Sequence, residues 1–230
     1  MQGIRLPGLA LVGALGLGCS DSDPIEPDPE RATVVIANTA FGASNVNVGL
    51  AGIAQPIAID LDFAEYTAVC AVIPAGAAIT LTFTSGPTVL ATEDVTLTDG
   101  GRYTILLVTN GENEHVVVLE DEVEVANEER AVRFVNATPA PGDVYLFATG
   151  DAMGEPAESD LAYAGTAAAP PSYLLRASDQ TVARFFDPDV SEETPRAEVT
   201  LPSAAEAPIT TVIFAETATT TEVFVLEPCG

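Results

Sequence analysis

One short pattern occurs twice in this chain and constrains its fold more than any other feature. Val34-Val35-Ile36-Ala37-Asn38 followed by Asn45-Val46-Asn47-Val48 returns as Val132-Arg133-Phe134-Val135-Asn136 followed by Asp143-Val144-Tyr145-Leu146. With Asn38 aligned to Asn136, the offset is 98 residues and continues without a gap to Val46 and Val144. That length is too long for a solenoid repeat and suits one small domain per copy.

Further matches follow in the same order along the two copies. They are Leu61–Ala64 with Leu161–Ala164, Val95–Leu97 with Val199–Leu201, and Val118–Glu120 with Val225–Glu227. The sequence therefore predicts one domain over residues 31–125, a linker over residues 126–129 and a second domain over residues 130–230.

Short β-branched runs dominate both copies. Residues 79–84 alternate apolar side chains with threonine, which is typical of a strand with one buried face. The continuous apolar runs 105–108 and 116–119 favour central strands that are buried on both faces. Turn residues interrupt these runs at short intervals, and no stretch has a convincing helical period. We therefore expect an all-β protein of two antiparallel β-sandwiches.

The N-terminus has the pattern of an export signal. Arg5 precedes an uncharged apolar run over residues 6–18, which is shorter than the ~20 residues that a membrane-spanning helix needs. Leu15-Gly16-Leu17-Gly18-Cys19 resembles the lipobox of bacterial lipoproteins, although Gly16 stands where leucine is usual. This resemblance implies that residues 1–18 are removed and that Cys19 is lipidated. Ser20 after the cysteine favours the outer membrane or cell surface. The alternative is an ordinary secretory signal or a buried cysteine.

The segment over residues 19–30 is rich in acids and proline, so we expect an extended tether. The whole chain has 34 acidic residues, 8 arginines and no lysine, for a net charge of -26. Such a chain is repelled by nucleic acid and by anionic lipid head groups. Membrane attachment is therefore expected through the lipid alone, and no nucleic-acid partner is expected.

The opening of the second copy also resembles a known family. Val132-Arg133-Phe134-Val135-Asn136-Ala137-Thr138-Pro139 followed by Asp143-Val144-Tyr145 is similar to the start of a bacterial cell-envelope domain of unknown function, often found in tandem on lipoproteins. Members carry a later turn and strand that resemble Gly100-Gly101-Arg102-Tyr103-Thr104, whereas Phe41 replaces the opening proline in the first copy. The resemblance covers residues 31–230. It implies immunoglobulin-like sandwiches without an established activity.

Two cysteines remain once Cys19 is assigned to the lipid. Cys70 lies in the middle of the first copy and Cys229 is the penultimate residue. Because exported proteins keep disulfides, we predict a bridge between the two, with unpaired thiols as the alternative.

Acidic groups supply the only candidate metal ligands. Asp121 and Glu122 lie in an acidic run that we interpret mainly as a solvated strand edge, and Asp187 and Asp189 lie in an acidic turn. Calcium held at these residues is the alternative, although the ligand spacing of a known calcium loop is absent. Apart from this possible calcium, no cofactor is expected.

Catalytic arrangements are poorly represented. The chain has one histidine, His115, which we interpret as an exposed base at a turn, and it has no lysine and no G-x-S-x-G motif. We therefore expect no catalytic residues and a binding or structural module for adhesion or envelope organisation, with an unidentified protein or glycan partner. The alternatives are a calcium-dependent carbohydrate or protein binder and, more remotely, a hydrolase.

Overall fold

The computed structural model describes residues 30–139, 142–148, 154–165, 170–187, 194–217 and 221–229. The predicted signal peptide, Cys19, the predicted tether before Glu30 and Asp189 lie outside these residues. Within them, every regular element is a β-strand.

Nine strands make up the first half of the structure. They are β1 (Arg31–Asn38), β2 (Val46–Leu50), β3 (Ala58–Leu61), β4 (Glu65–Tyr66), β5 (Ala71–Pro74), β6 (Ala78–Ser85), β7 (Thr88–Thr96), β8 (Arg102–Thr109) and β9 (Glu114–Glu120). The first outer sheet has the order β3-β2-β6-β7, and the first inner sheet has the order β4-β1-β8-β9, with β5 also paired to β1.

Eight strands lie in the described residues of the second half. They are β10 (Glu129–Asn136), β11 (Gly142–Phe147), β12 (Glu158–Leu161), β13 (Leu174–Ala177), β14 (Val182–Phe186), β15 (Ala197–Thr200), β16 (Ile209–Glu216) and β17 (Thr221–Leu226). The second inner sheet is β13-β10-β16-β17 and the second outer sheet is β12-β11-β14-β15. The strand order of the first half recurs here, with β13 in the place of β5 and no described strand in the place of β4.

The all-β prediction is confirmed, and the structure adds a parallel pair to each inner sheet. β1 runs parallel to β8, and β10 runs parallel to β16. Parallel strands are normally covered on both faces, which explains the apolar run of β8, where residues 105–108 are all fully buried. The expectation of a central strand was wrong for β9, which forms the edge of its sheet.

Three hydrophobic cores separate the four sheets. The first core lies between the outer and inner sheets of the first half, and the third core occupies the same place in the second half. The second core lies between the two inner sheets. Successive residues of β8 alternate between cores: Ile105 and Leu107 face the first core, and Leu106 and Val108 face the second. The four sheets therefore form a continuous stack.

The two halves share a buried asparagine at the end of their first strand. The Nδ2 of Asn38 donates to the Leu61 carbonyl at 3.1 Å, and the Nδ2 of Asn136 donates to the Leu161 carbonyl at 2.9 Å. In each half, the asparagine Oδ1 also accepts from a backbone N–H two residues later. The same polar group thus fixes the turn after β1 and the turn after β10.

The gapless alignment of the two copies from Asn38 to Val46 was wrong after the first turn. Asp60 and Asp160 both adopt a positive φ, and their backbone N–H groups donate to Asn47 and Asp143, respectively. Asn47 follows Asn38 by nine residues, whereas Asp143 follows Asn136 by seven. The turn after β10 is therefore two residues shorter than the turn after β1. Asp143 is equivalent to Asn47 in the structure, although the sequence alignment matched it to Asn45.

Candidate functional site

The interface between the two inner sheets is built from equivalent positions of the two halves. Ala37 pairs with Leu106 in one inner sheet, and Val135 pairs with Ile213 in the other. All four side chains are fully buried in the second core. A face that packs on its own counterpart is the geometry of a two-fold symmetric dimer interface. Here the two faces belong to one chain.

A buried polar cluster lies at one side of this interface. We call Thr104, Asp121, Arg133, Tyr173 and Thr211 the clasp. Asp121 follows β9 and is completely buried, and its carboxylate is ion-paired with the guanidinium of Arg133 from β10. Asp121 also accepts from the Thr104 hydroxyl at 2.8 Å and from the Tyr173 hydroxyl at 3.1 Å.

The Arg133 guanidinium is held on every side by groups of both halves. It donates to the Thr211 hydroxyl and to the Glu120 carbonyl, the latter at 2.9 Å, and it lies 4.3 Å from the centre of the Tyr173 ring. Burying the two charges costs desolvation free energy. Their mutual attraction and hydrogen bonds offset this cost only while the two halves are packed together. Asp121 therefore links the halves, and its interpretation as part of a solvated edge was wrong.

The predicted disulfide lies next to the clasp. Cys70 and Cys229 are bonded, with their Cα atoms 5.9 Å apart. Arg102 donates to the Cys229 carbonyl at 3.4 Å and to the Asp121 carbonyl at 3.5 Å, so the bridge and the clasp share a neighbour. The bridge ties the segment before β5 to the segment after β17. Such bonds persist in oxidising compartments, which supports a location outside the cytoplasm.

The candidate calcium ligands are separated or already engaged. Both oxygens of Asp121 accept bonds within the clasp, Glu122 is exposed, and Asp187 accepts from Arg196 at 2.8 Å. Among the residues that the structure describes, no three histidine, cysteine or acidic side chains form a group that could hold a metal ion. No described contact therefore favours calcium over the ion pairs.

His115 does not occupy the exposed turn position that the sequence indicated. It lies in β9, half-buried, and its ring packs edge-on against Tyr163 of the second half with 6.5 Å between ring centres. Glu114, which precedes His115 in the sequence, lies close enough to Tyr163 for its charge to raise the tyrosine pKa. His115 is therefore part of the contact between the halves.

Two tyrosines of this interface should lose their phenolic protons at a higher pH than free tyrosine. Burial raises the pKa of Tyr163 to about 12, with the Glu114 charge adding to the effect. Burial also raises the pKa of Tyr173 to about 12, and Asp121 raises it further while Arg133 opposes the rise. Unfolded tyrosine ionises near pH 10, so between about pH 10 and 12 the unfolded state loses protons first and folding stability should fall.

Tyrosinate absorbance measured during an alkaline titration of the folded protein checks this expectation. The Tyr173→Phe variant keeps a ring against Arg133 and should lose one late-titrating phenol. If the variant and the parent titrate with identical amplitude above pH 11, then Tyr173 is not buried as described.

An apolar cavity of about 180 Å³ lies at one end of the same interface. Its walls pair equivalent positions of the two halves: Phe41 with Pro139 after the first strand of each half, Thr109 with Glu216 and Asn110 with Thr217 at the end of the parallel partner strand. Gly111 and Ala137 complete the lining. Cavities between two units are frequent ligand sites, and we take this one as the candidate site.

The sequence did not single out this cavity. The acidic turn that carries Asp187 and Asp189 falls partly outside the described residues, and the preceding Phe185 and Phe186 are buried in β14. The available signal was Phe41, the aromatic residue that interrupts the family-like turn of the first copy.

The described part of the chain contains no helix that is long and apolar enough to cross a membrane.

Comparisons with known proteins give structural similarities and one family. A solved structure described as "Alpha-glucan recognition by family 41 carbohydrate-binding modules from streptococcal virulence factors" aligns at 10% identity, over 84% of this chain and 96% of that chain, with a TM-score of 0.30. At this level it carries no argument about a ligand. No curated protein matches the sequence. Residues 21–147, more than half of the chain, match the model of DUF4397, a domain of unknown function. The chain therefore belongs to the DUF4397 family.

Proposed function

We propose that this protein is a non-enzymatic binding or structural module of the bacterial cell envelope, exported and anchored by a lipid on Cys19. In this proposal, two sandwich domains over residues 31–125 and 130–230 follow an acidic tether, at the outer membrane or cell surface. The binding partner is a protein or a glycan.

The observation that carries the proposal is the fusion of the two halves at their inner sheets. A shared apolar core, a buried ion pair and a disulfide all cross the same interface. Relative motion of the halves would have to break these contacts together, so the loops at the ends of the stack keep a fixed spacing. Fixed loops on a rigid β-scaffold are the usual basis of recognition by sandwich proteins.

The side chains at this interface favour a binding or structural role over catalysis. The single histidine packs against an aromatic ring, and the most deeply buried acid is neutralised by Arg133 and by two hydroxyl donors. A general base needs access to a substrate proton. Neither group offers that access in the folded protein.

The anchoring part of the proposal is tested on Cys19 in a diderm bacterial host. The wild-type protein should fractionate with the outer membrane, and its mass should include the acyl groups, while Cys19→Ser should lose both properties. Ser20→Asp is the matched variant: it should keep the lipid but move to the inner membrane. An unmodified N-terminus on the wild-type protein, or equal fractionation of wild type and Cys19→Ser, would exclude lipid anchoring.

A further inference from the structure

The wall of the end cavity contains a fixed, partly exposed aromatic ring. Phe41 is 47% exposed, and its ring packs edge-on against Phe63 with 6.2 Å between ring centres. Phe63 in turn packs against the core between the halves. Phe41 is thus held in place from below while much of its surface remains available for contact.

Two side-chain oxygens of the hairpin tip at the cavity are engaged within the tip itself. The Asn110 Oδ1 accepts from the backbone N–H groups of Glu112 and Asn113, at 2.9 and 2.8 Å. The Thr109 hydroxyl donates to the Asn113 carbonyl and accepts from the Gly111 N–H. The hairpin is therefore pre-ordered, and these two side-chain oxygens are already engaged within it.

The opposite wall consists of Ala137, Pro139, Glu216 and Thr217. Glu216 accepts from Arg196 at 3.1 Å, and Ala137 and Pro139 contribute apolar surface. A sugar ring brings many hydroxyl groups that each need a partner when buried. An apolar group needs none, so the cavity fits an apolar ligand better than a sugar.

The size of the cavity points to a single side chain. Its volume of about 180 Å³ is below the roughly 300 Å³ at which pockets for whole small molecules begin. One aromatic or aliphatic side chain, delivered by the surface of a larger partner, is an occupant of suitable size.

The negative charge of the protein favours a positively charged partner. The chain carries a net charge of -26. Six of its arginines donate hydrogen bonds to groups of the chain itself: Arg102, Arg130, Arg133, Arg176, Arg184 and Arg196. Glu112 and Glu114 lie on the hairpin beside the cavity. An approaching acidic protein would be repelled, whereas a basic one would be attracted.

We propose that the end cavity binds one aromatic or aliphatic side chain projecting from a lysine- and arginine-rich segment of a protein partner. This rests on the proposed function as a binding module and assigns it a site and a class of ligand. Phe41 is the contact residue, and the acidic surface around the cavity supplies the long-range attraction.

The experiment titrates the oxidised protein with a capped peptide in which four lysines and two glycines surround a central phenylalanine. Two further peptides replace the phenylalanine with serine or the lysines with glutamates. Affinity is measured by calorimetry, at low and at high salt. Phe41→Ala is the site variant, and Val89→Ala is the control, since Val89 is 58% exposed on β7 of the first outer sheet.

We expect the phenylalanine peptide to bind and to lose about 10-fold or more in affinity to Phe41→Ala, with no loss to Val89→Ala. The serine peptide should bind the wild-type protein more weakly by a similar factor, and high salt should weaken binding. The serine-peptide comparison does not depend on the folding of any variant.

Three results would overturn the inference: no binding of the phenylalanine peptide, equal binding of the phenylalanine and serine peptides, or full retention of affinity by a folded Phe41→Ala. Any of these results together with a lipidated Cys19 leaves the proposed envelope module intact, because anchoring is measured separately.

Discussion

Replacing Arg133 with leucine is expected to destabilise the protein by about 3–5 kcal/mol. The substitution leaves the fully buried Asp121 carboxylate without its positive partner and leaves the Thr211 hydroxyl without a donor from Arg133. Solvation of the charge in the unfolded state then favours unfolding. Denaturant unfolding followed by circular dichroism measures the change.

Arg184→Leu is the matched control for this variant. Arg184 pairs with Glu198 at the surface, where the two side chains are 33% and 47% exposed. An exposed ion pair contributes about 0–1 kcal/mol, so this control should remain close to wild type. The double variant Asp121→Leu/Arg133→Leu should regain part of the loss, since it no longer buries a lone charge. Equal stabilities of Arg133→Leu and Arg184→Leu would show that the clasp is not buried as described.

Removing the disulfide should produce the second large effect. Cys70→Ser and Cys229→Ser are each expected to lower the free energy of unfolding by about 2–5 kcal/mol. The bridge spans 159 residues, and in the chain-entropy account a longer closed loop restrains the unfolded state more strongly. The same denaturant titration, run with and without a reductant, measures the loss.

Reduction of the wild-type protein is the internal control for both serine variants. All three samples should lose the same stability, because each lacks the same bond. The reduced protein should stay folded, since the core between the inner sheets and the clasp remain in place. A wild-type protein whose stability does not respond to reductant would contradict the Cys70–Cys229 pairing.

The sequence predicted the strands well because local pattern determines them. Alternation over residues 79–84 marks β6, and the repeated asparagine marks the ends of β1 and β10. The pairing of Cys70 with Cys229 was also predicted, since two cysteines in an exported chain leave one intramolecular choice. These features depend on residue type and order alone.

The partners of each strand could not be obtained in the same way. β1 pairs in parallel with β8, from which six strands separate it along the chain, and an apolar run does not identify the strand beside it. The run 116–119 predicted a central strand, yet β9 is an edge strand. Its two faces pack against the first and second cores, which explains its apolar run.

The clasp and the cavity were missed for the same physical reason. Asp121 stands among exposed acids, and only its contact with Arg133 on the next strand explains why this one acid is buried. Phe41 was visible as a departure from the family-like turn, but the wall it forms with Ala137 and Pro139 exists only because the halves pack together. Sites made by two distant segments leave little trace in either one.

Native-state hydrogen exchange in increasing denaturant tests most directly whether the two halves form one rigid body. Amides of β8 and of β16 lie in the inner sheets on either side of the shared core. If the halves are fused as described, both strands should exchange with the same free energy of opening and the same dependence on denaturant, in one global event. Opening of one half at a clearly lower free energy, while the other half stays protected, would contradict the account.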